Sequence, residues 1–554
     1  MSKKVVEQKK EFKTRAGIPL KRVYTPDDVK DLDYYRDVAV PGQYPYVRGP
    51  YSDMYRTYFW MIRQVLGYGT PEDTAKRLED MAALGGQTAY SGERAMTFSY
   101  DAPTNYGIDS DNPNVRHQVG KTGVAIDSYE DFVDIMKTQP VEHIAFGNHD
   151  INGPTYVILA MYTVGMEKLG VSQAKLRGST KNDPFHCFNA ERIGLLPIEA
   201  EVRIALDVLE YCLGRMPRWS PISIASYSYA SAGFNSIQEL GIALAHGMAF
   251  VEGGIQRGLD PNEVASSITF FTSVGISLLE EIAKFRAARR LWAKLLKERY
   301  GVNKEKALRF RTYALTLPAF LTAQQPLVNV IRGTIQGLAA VLGGVQALGI
   351  TPYDEALAIP TMGSELLAIR THQVIAEESD VASTVDPLGG SYCIEALTNE
   401  IEQRVMEQLN EIGALGRGGM LNALIAGTRS GYFTREIDKA FLQRQKDIAS
   451  GETTVIGVNK YVTDEYAYPE VFKVPPEYEE EKIKKLKRFR EERDETVWRE
   501  GLERLRKCAQ SDENIMNGLM AAVERKATLE EIMNVLADVF GESELRKKYR
   551  RARY

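Results

Sequence analysis

Four cysteines in 554 residues, Cys187, Cys212, Cys393 and Cys508, stand far apart and form no CxxC pair. That spacing excludes a disulfide framework and a cysteine zinc site, and it predicts reduced intracellular thiols. The six histidines make no HExxH motif, and a metal-dependent hydrolase finds no clustered ligands of the usual spacing. Positive charge is not in excess either. A net charge of −5 supplies no basic field for nucleic acid. No apolar run reaches membrane-spanning length, and the Lys-rich start carries no signal-peptide pattern. Internal repeats and low-complexity segments are absent. What remains is the profile of a cytoplasmic enzyme too long for one compact core.

The chain reads as four regions. Residues 1–60 are polar and punctuated by Pro19, Pro26, Pro41, Pro45 and Pro50, which bars long helices and predicts an extended segment. Residues 61–360 alternate strand-like and helix-like runs. The strand candidates are 95–100, 141–147, 175–180, 221–227, 247–252, 267–272, 309–315 and 343–348. Trp60–Gln64 reads as helix-like, and 198–213 and 278–299 as amphipathic helices. Eight strands alternating with helices predict an α/β fold, a (β/α)8 barrel, although the periodicity fits an open doubly wound sheet almost as well. Residues 361–475 are a helix-rich extension holding VDPLGGSY (385–392) and SGETTVIGVNKY (450–461), with Val455–Val458 as a short β-like run. Residues 476–554 are charged and helical. They predict an exposed arm laced by i,i+4 ion pairs, then an amphipathic helical pair over 514–541.

The most informative stretch is AMTFSYDAPTNYGIDSDNPNVRHQVGKTGVAIDS, 95–128. A short apolar strand empties into a polar loop carrying Asp101, Asn105, Tyr106, Asp109, Asp111 and Asn112, which is how α/β proteins place chemistry at strand ends. The order G-x-D-S-D-N-P-x-V, then V-G-x-x-G-V-A-I-D-S, resembles the barrel-bearing large subunit of coenzyme B12-dependent acyl-CoA mutases, the methylmalonyl-CoA mutase family. The resemblance runs from about Gly42 to Gly541 and includes GQYPYVRGPYSDMY, VDPLGGSY and SGETTVIGVNKY. It implies a barrel that threads an acyl-CoA and uses adenosylcobalamin for a radical 1,2-rearrangement. The D-x-H-x-x-G motif that ligates cobalt in the family does not occur in this sequence. The resemblance therefore implies a separate small cobalamin-binding subunit and a heterotetramer or other hetero-oligomer.

Residue by residue, Glu355 matches the glutamate that holds the adenosyl ribose, and Gln324 a second polar position lining that site. Asn105 stands where the family usually has a histidine facing the corrin. Tyr227 matches the tyrosine beside the reacting carbon, and Arg63 an arginine near the CoA-facing entrance. Ordinary structural roles compete with each: a helix-start carboxylate, a helix cap, a loop cap, a core aromatic and a solvated arginine. Asp101 reads as a buried acceptor at a strand end.

Departures cluster where substrate would bind. The histidine that donates to the thioester carbonyl is replaced by Ser228, a shorter and never cationic donor. A glutamine becomes Lys181, able to hold a carboxylate or a carbonyl oxygen. The arginine that grips the free carboxylate of methylmalonyl-CoA falls at Glu191 or, with a one-residue slip, at Arg192. The tyrosine after Arg-Gln is Val65, an arginine that contacts CoA phosphate is Tyr58, and a small Ser/Thr pair becomes Asn148 and Asp150. Asp150 and Glu191 repel anions, and Val65 removes a bulky phenol. The expectation is a mutase whose acyl-CoA is not methylmalonyl-CoA. A B12 mutase for a free acid or amine and a non-catalytic scaffold or regulatory homologue remain as alternatives.

Overall fold

The computed structural model describes residues 11–87, 93–463, 469–475 and 477–551, the side chains of 148–150 and 549–551 excepted. Ten short strands run β1 Met61–Ile62, β2 Val65–Leu66, β3 Arg94–Ser99, β4 Ile144–Asp150, β5 Gly178–Thr180, β6 Trp219–Ser220, β7 Ile222–Ala225, β8 Ile268–Val274, β9 Thr312–Thr316 and β10 Ala347–Gly349. They pair, all in parallel, as two five-stranded sheets of order β1-β10-β9-β8-β7 and β2-β3-β4-β5-β6. The two sheets meet along the chain twice. Segment 61–66 pairs with β10 through its first half and with β3 through its second. Segment 219–225 does the same with β5 and β8, broken at Pro221, which has no N–H to donate.

Helices fill the crossovers, as parallel pairing requires. The helix Pro71–Ala83 starts with a Thr70–Asp73 capping box and Pro71 in its first turn. Ile198–Arg215 and Leu278–Tyr300 match the expected amphipathic runs within three residues. Some expectations fail. Residues 247–252 are not a strand but the middle of the helix Ser236–Gln256, which is buried on almost every side and so shows no 3.6-residue pattern. Trp60–Gln64 is not helical: it holds β1 and the break before β2. Val455–Val458 forms a turn, with one bridge from Ile456 to Lys460.

The family-like motifs outside the sheets act as clamps. Asp386 of VDPLGGSY pairs with Arg286, fully buried on the helix Leu278–Tyr300, and with Arg48 of the lead-in segment. The C-terminal region is not the exposed arm the sequence suggested. Its helices Glu477–Glu491, Glu495–Gln510, Ile515–Glu524 and Leu529–Phe540 bury Phe489, Leu505, Met516, Leu519, Ile532 and Met533 in one core with β3, β4 and the helix Thr155–Lys168. The charge pattern hid an apolar stripe wide enough to dock. Among the described residues, no helix is long and apolar enough to cross a membrane.

Candidate functional site

Parallel strands all end on one side, so the residues that follow them share a face. Asn105 follows β3, Asn152 follows β4, Lys181 follows β5, Tyr227 and Ser228 follow β7, Gln324 follows β9 and Glu355 follows β10. The order of elements thus gathers side chains that lie 250 residues apart in the chain.

Along the sheet β1-β10-β9-β8-β7 runs an aromatic wall. Tyr227 stacks on Phe271 with ring centroids 4.7 Å apart and planes 13° apart, and Phe271 stacks on Tyr313 at 5.0 Å and 9°. Val65 and Met61 close the cluster from the neighbouring segment. The sequence placed Tyr227 on a strand, but β7 ends at Ala225 and Tyr227 sits in the first turn of the helix Ser226–Ala232. Ser228, in the same turn, is buried.

Arg63 is neither helical nor solvated. It is 6 % exposed and lies 5.0 Å over the Tyr313 ring. Its Nε donates to Thr97 Oγ1 at 3.1 Å and its Nη2 to the Met96 carbonyl at 3.3 Å. No carboxylate pairs with it among the described residues, and burial pulls its pKa down to about 10. A buried guanidinium that faces only neutral acceptors is a receptor for oxygen atoms or negative charge.

Lys181, 2 % exposed, donates from Nζ to Asn152 Oδ1. Behind it, Asp183 accepts from His246 Nδ1 at 2.9 Å and from the Ala225 N–H at 3.1 Å. His186 contacts the Asp183 carbonyl through Nδ1, and its pKa is driven down to about 3 by burial and by Lys181. The imidazole is therefore neutral at any working pH.

Asn105 is turned inward. Its Nδ2 donates to the Tyr100 and Asp101 carbonyls at 3.0 and 3.1 Å, and its Oδ1 accepts the Asn152 N–H at 2.7 Å. The amide ties two loops together instead of reaching outward as a corrin contact would. Asp101 is the buried acceptor expected, taking the Thr104 and Gly120 N–H groups at 2.9 and 2.7 Å, and burial raises its pKa to about 7.

Gln324 and Glu355 are both exposed on adjacent loops. Asn329 binds those loops together, donating to the Thr322 and Tyr353 carbonyls at 2.8 and 3.0 Å and accepting the Thr322 N–H. A carboxylate and an amide held this way suit a vicinal diol, so the donor set fits a ribose.

Other expected residues lie apart. Tyr58 is half exposed at the opposite end of the strands, in an apolar cavity of about 370 Å³ with Tyr51, Met54, Tyr55 and Gln346. Arg192 is exposed and pairs with Asp438, while Glu191 ends the turn Cys187–Glu191, partly buried. The side chains of Asn148 and Asp150 lie outside the described residues.

The signature Gly107–Val115 proves to be mostly a socket for the C-terminal helices. Asp109 and Glu530 each accept the other's backbone N–H, at 2.8 and 3.1 Å. Arg490 bonds Asp109 and Asp111, and Asn112 bonds Glu530. Asn152, Phe271 and Tyr313 were missed from sequence; only their places after or on strands hinted at them.

A family model for methylmalonyl-CoA mutase matches residues 13–542. The chain is 37% identical over 541 residues to the 2-hydroxyisobutanoyl-CoA mutase large subunit of Aquincola tertiaricarbonis, covering 97% of this chain and 94% of that protein. It is 36% identical over 532 residues to the methylmalonyl-CoA mutase of Escherichia coli (strain K12), covering 95% and 72%. With the human mitochondrial methylmalonyl-CoA mutase the figures are 35% over 531 residues, covering 96% and 68%. With the match spanning both sheets, the socket loop and the helices that fill it, the chain belongs to the methylmalonyl-CoA mutase family.

Proposed function

We propose that this chain is the large subunit of an adenosylcobalamin-dependent acyl-CoA mutase, an isomerase whose substrate is an acyl-CoA other than methylmalonyl-CoA. In this reading the two sheets are halves of one (β/α)8 barrel formed by residues 61–360. Segments 1–60, 361–475 and 476–554 support it in the cytoplasm. A separate small subunit delivers cobalamin within a heterotetramer or other hetero-oligomer, in keeping with a relative named as a large subunit.

One observation carries the reading. Exposed Glu355 and Gln324 are fixed by Asn329 on the face where the aromatic wall ends. They would hold the ribose of the adenosyl group, and the cofactor, when bound, supplies hydrogen-atom abstraction and return. The chain's own residues bind, orient and exclude water. Tyr227, Phe271 and Tyr313 form a flat wall for the acyl group. Lys181 and Arg63 offer buried N–H donors to its oxygens, and Lys181 takes over the carbonyl contact for which Ser228 is short. Val65 leaves space beside the migrating group. An uncharged, hydroxylated acyl group satisfies these conditions, and the relative named for 2-hydroxyisobutanoyl-CoA is of that kind. The Tyr58 cavity, at the far strand ends, would receive the CoA nucleotide.

Calorimetric titration of CoA, then acetyl-CoA, into the chain mixed with its cobalamin subunit tests the reading. Micromolar binding is expected. No binding by a mixture that binds cobalamin would overturn the acyl-CoA assignment and favour a free acid or amine.

A further inference from the structure

Lys181, assigned above to the substrate's acyl oxygen, is held from the side. A lysine carries four rotatable bonds, and an ammonium useful in catalysis has to be confined to one position. Among the described residues the acceptor that confines it is Asn152 Oδ1. The His186 ring lies 3.4 Å from the same oxygen, but its Nδ1–H is spent on the Asp183 carbonyl and the neutral ring leaves Nε2 bare. The imidazole therefore cannot donate to Asn152, and the ammonium has the amide oxygen to itself.

Asn152 is fixed in turn. Its backbone N–H donates to Asn105 Oδ1 at 2.7 Å, and Asn105 is locked by two carbonyls at the end of β3. The next residue has to be glycine: a Cβ on Gly153 would sit 2.1 Å from the Asn105 carbonyl oxygen. The turn after β4 is thus pressed against the loop after β3, and its side chain is aimed at the residue after β5.

We propose that Asn152 is a positioning residue, set by Asn105, that aims the Lys181 ammonium at the substrate's acyl oxygen. The three residues then act as one unit, and the short helix Ala102–Tyr106 is coupled to the substrate contact without touching substrate. The inference rests on the reading of Lys181 given above, so its test has an arm that needs no substrate.

In a crystal structure of the full-length Asn152→Ala chain, Lys181 Nζ is expected to leave its place while the fold and Asn105 stay. A Nζ still within about 0.5 Å of its original position, the tolerance of a productive site, overturns the proposal whatever the enzyme does. The second arm uses the chain with its cobalamin subunit, adenosylcobalamin and 2-hydroxyisobutanoyl-CoA as probe. Asn152→Ala and Lys181→Met should each raise KM by about tenfold or more with kcat less affected, a displaced contact costing on the order of 100-fold at most. The double variant should be no worse than Lys181→Met alone. Additive losses overturn the unit. Asn152→Asp, which keeps an acceptor, should restore the Lys181 position in the crystal and most of the KM. A Lys181 still displaced in that variant would overturn the contact. If the unmodified enzyme turns over no acyl-CoA, the functional reading fails, and the crystallographic arm still decides the role of Asn152.

Discussion

Two buried cations frame how this molecule divides its work. Lys482, on the helix Glu477–Glu491, is 2 % exposed and sits 2.5 Å from Asp131 and 3.2 Å from Asp127, and these carboxylates hold its pKa above the usual lysine value. Arg63, nearly as buried, faces a hydroxyl, a carbonyl and an aromatic ring, and its pKa falls to about 10. The first is completed within the chain and belongs to the scaffold. The second has donors but, among the described residues, no counter-charge, a state that costs stability and is kept where a ligand completes it. The contrast extends to the surroundings. The socket around Asp109, Asp127 and Glu530 is filled by polar and charged groups of the C-terminal helices, whereas the wall formed by Tyr227, Phe271 and Tyr313 is built of stacked rings.

The largest expected effect breaks the saturated side. Lys482→Met strands two buried carboxylates and should cost about 3–5 kcal/mol, read by denaturant unfolding. Arg63→Met, its control, should leave stability nearly unchanged while weakening acetyl-CoA binding. Equal losses in stability would erase the distinction between the two cations.

A smaller effect comes from Asp101, whose folded pKa of about 7 lies above the ordinary carboxylate value. Between about pH 4 and 7 the folded chain keeps this proton and the unfolded chain has lost it. Stability then falls as pH rises through that window, by up to about 1.4 kcal/mol per pH unit, and levels off above pH 7. Asp101→Asn should flatten that part of the stability–pH curve. An unchanged slope would show that another buried acid sets it.

The smallest structural effect belongs to Glu355→Gln. An exposed side chain there should change stability by less than about 0.5 kcal/mol, while adenosylcobalamin binding by the two-subunit complex, followed spectroscopically, weakens. Unaltered cofactor affinity would remove Glu355 from the site and leave the exposed face without a role.

The alternation of strands and helices was legible in 61–360 because seven of the eight expected runs lie on or over strands, and crossover helices such as Ile198–Arg215 carry an amphipathic pattern. The exception, 247–252, belongs to a helix enclosed on nearly all sides, where periodicity carries no information. The socket loop misled in another way. Asp109 and Asn112 look like part of a catalytic loop in a list of residues, but both bond Glu530, 421 and 418 residues downstream, and nothing local announces it. The charged C-terminal region likewise read as solvated: pairs such as Arg499–Glu495 do run along its helices, but Lys482 and Arg490 reach back to Asp127, Asp131, Asp109 and Asp111, which no local pattern announces.

By itself, the sequence determined the family and the order of parallel elements, because these depend on residue type and spacing along the chain. Only the tertiary structure decided that Arg63 is buried with no carboxylate paired to it among the described residues, that Asn105 faces Asn152, and that Arg192 pairs with Asp438. Those outcomes depend on which loops meet after the strands close together, and contact between distant loops leaves no periodic trace in the chain.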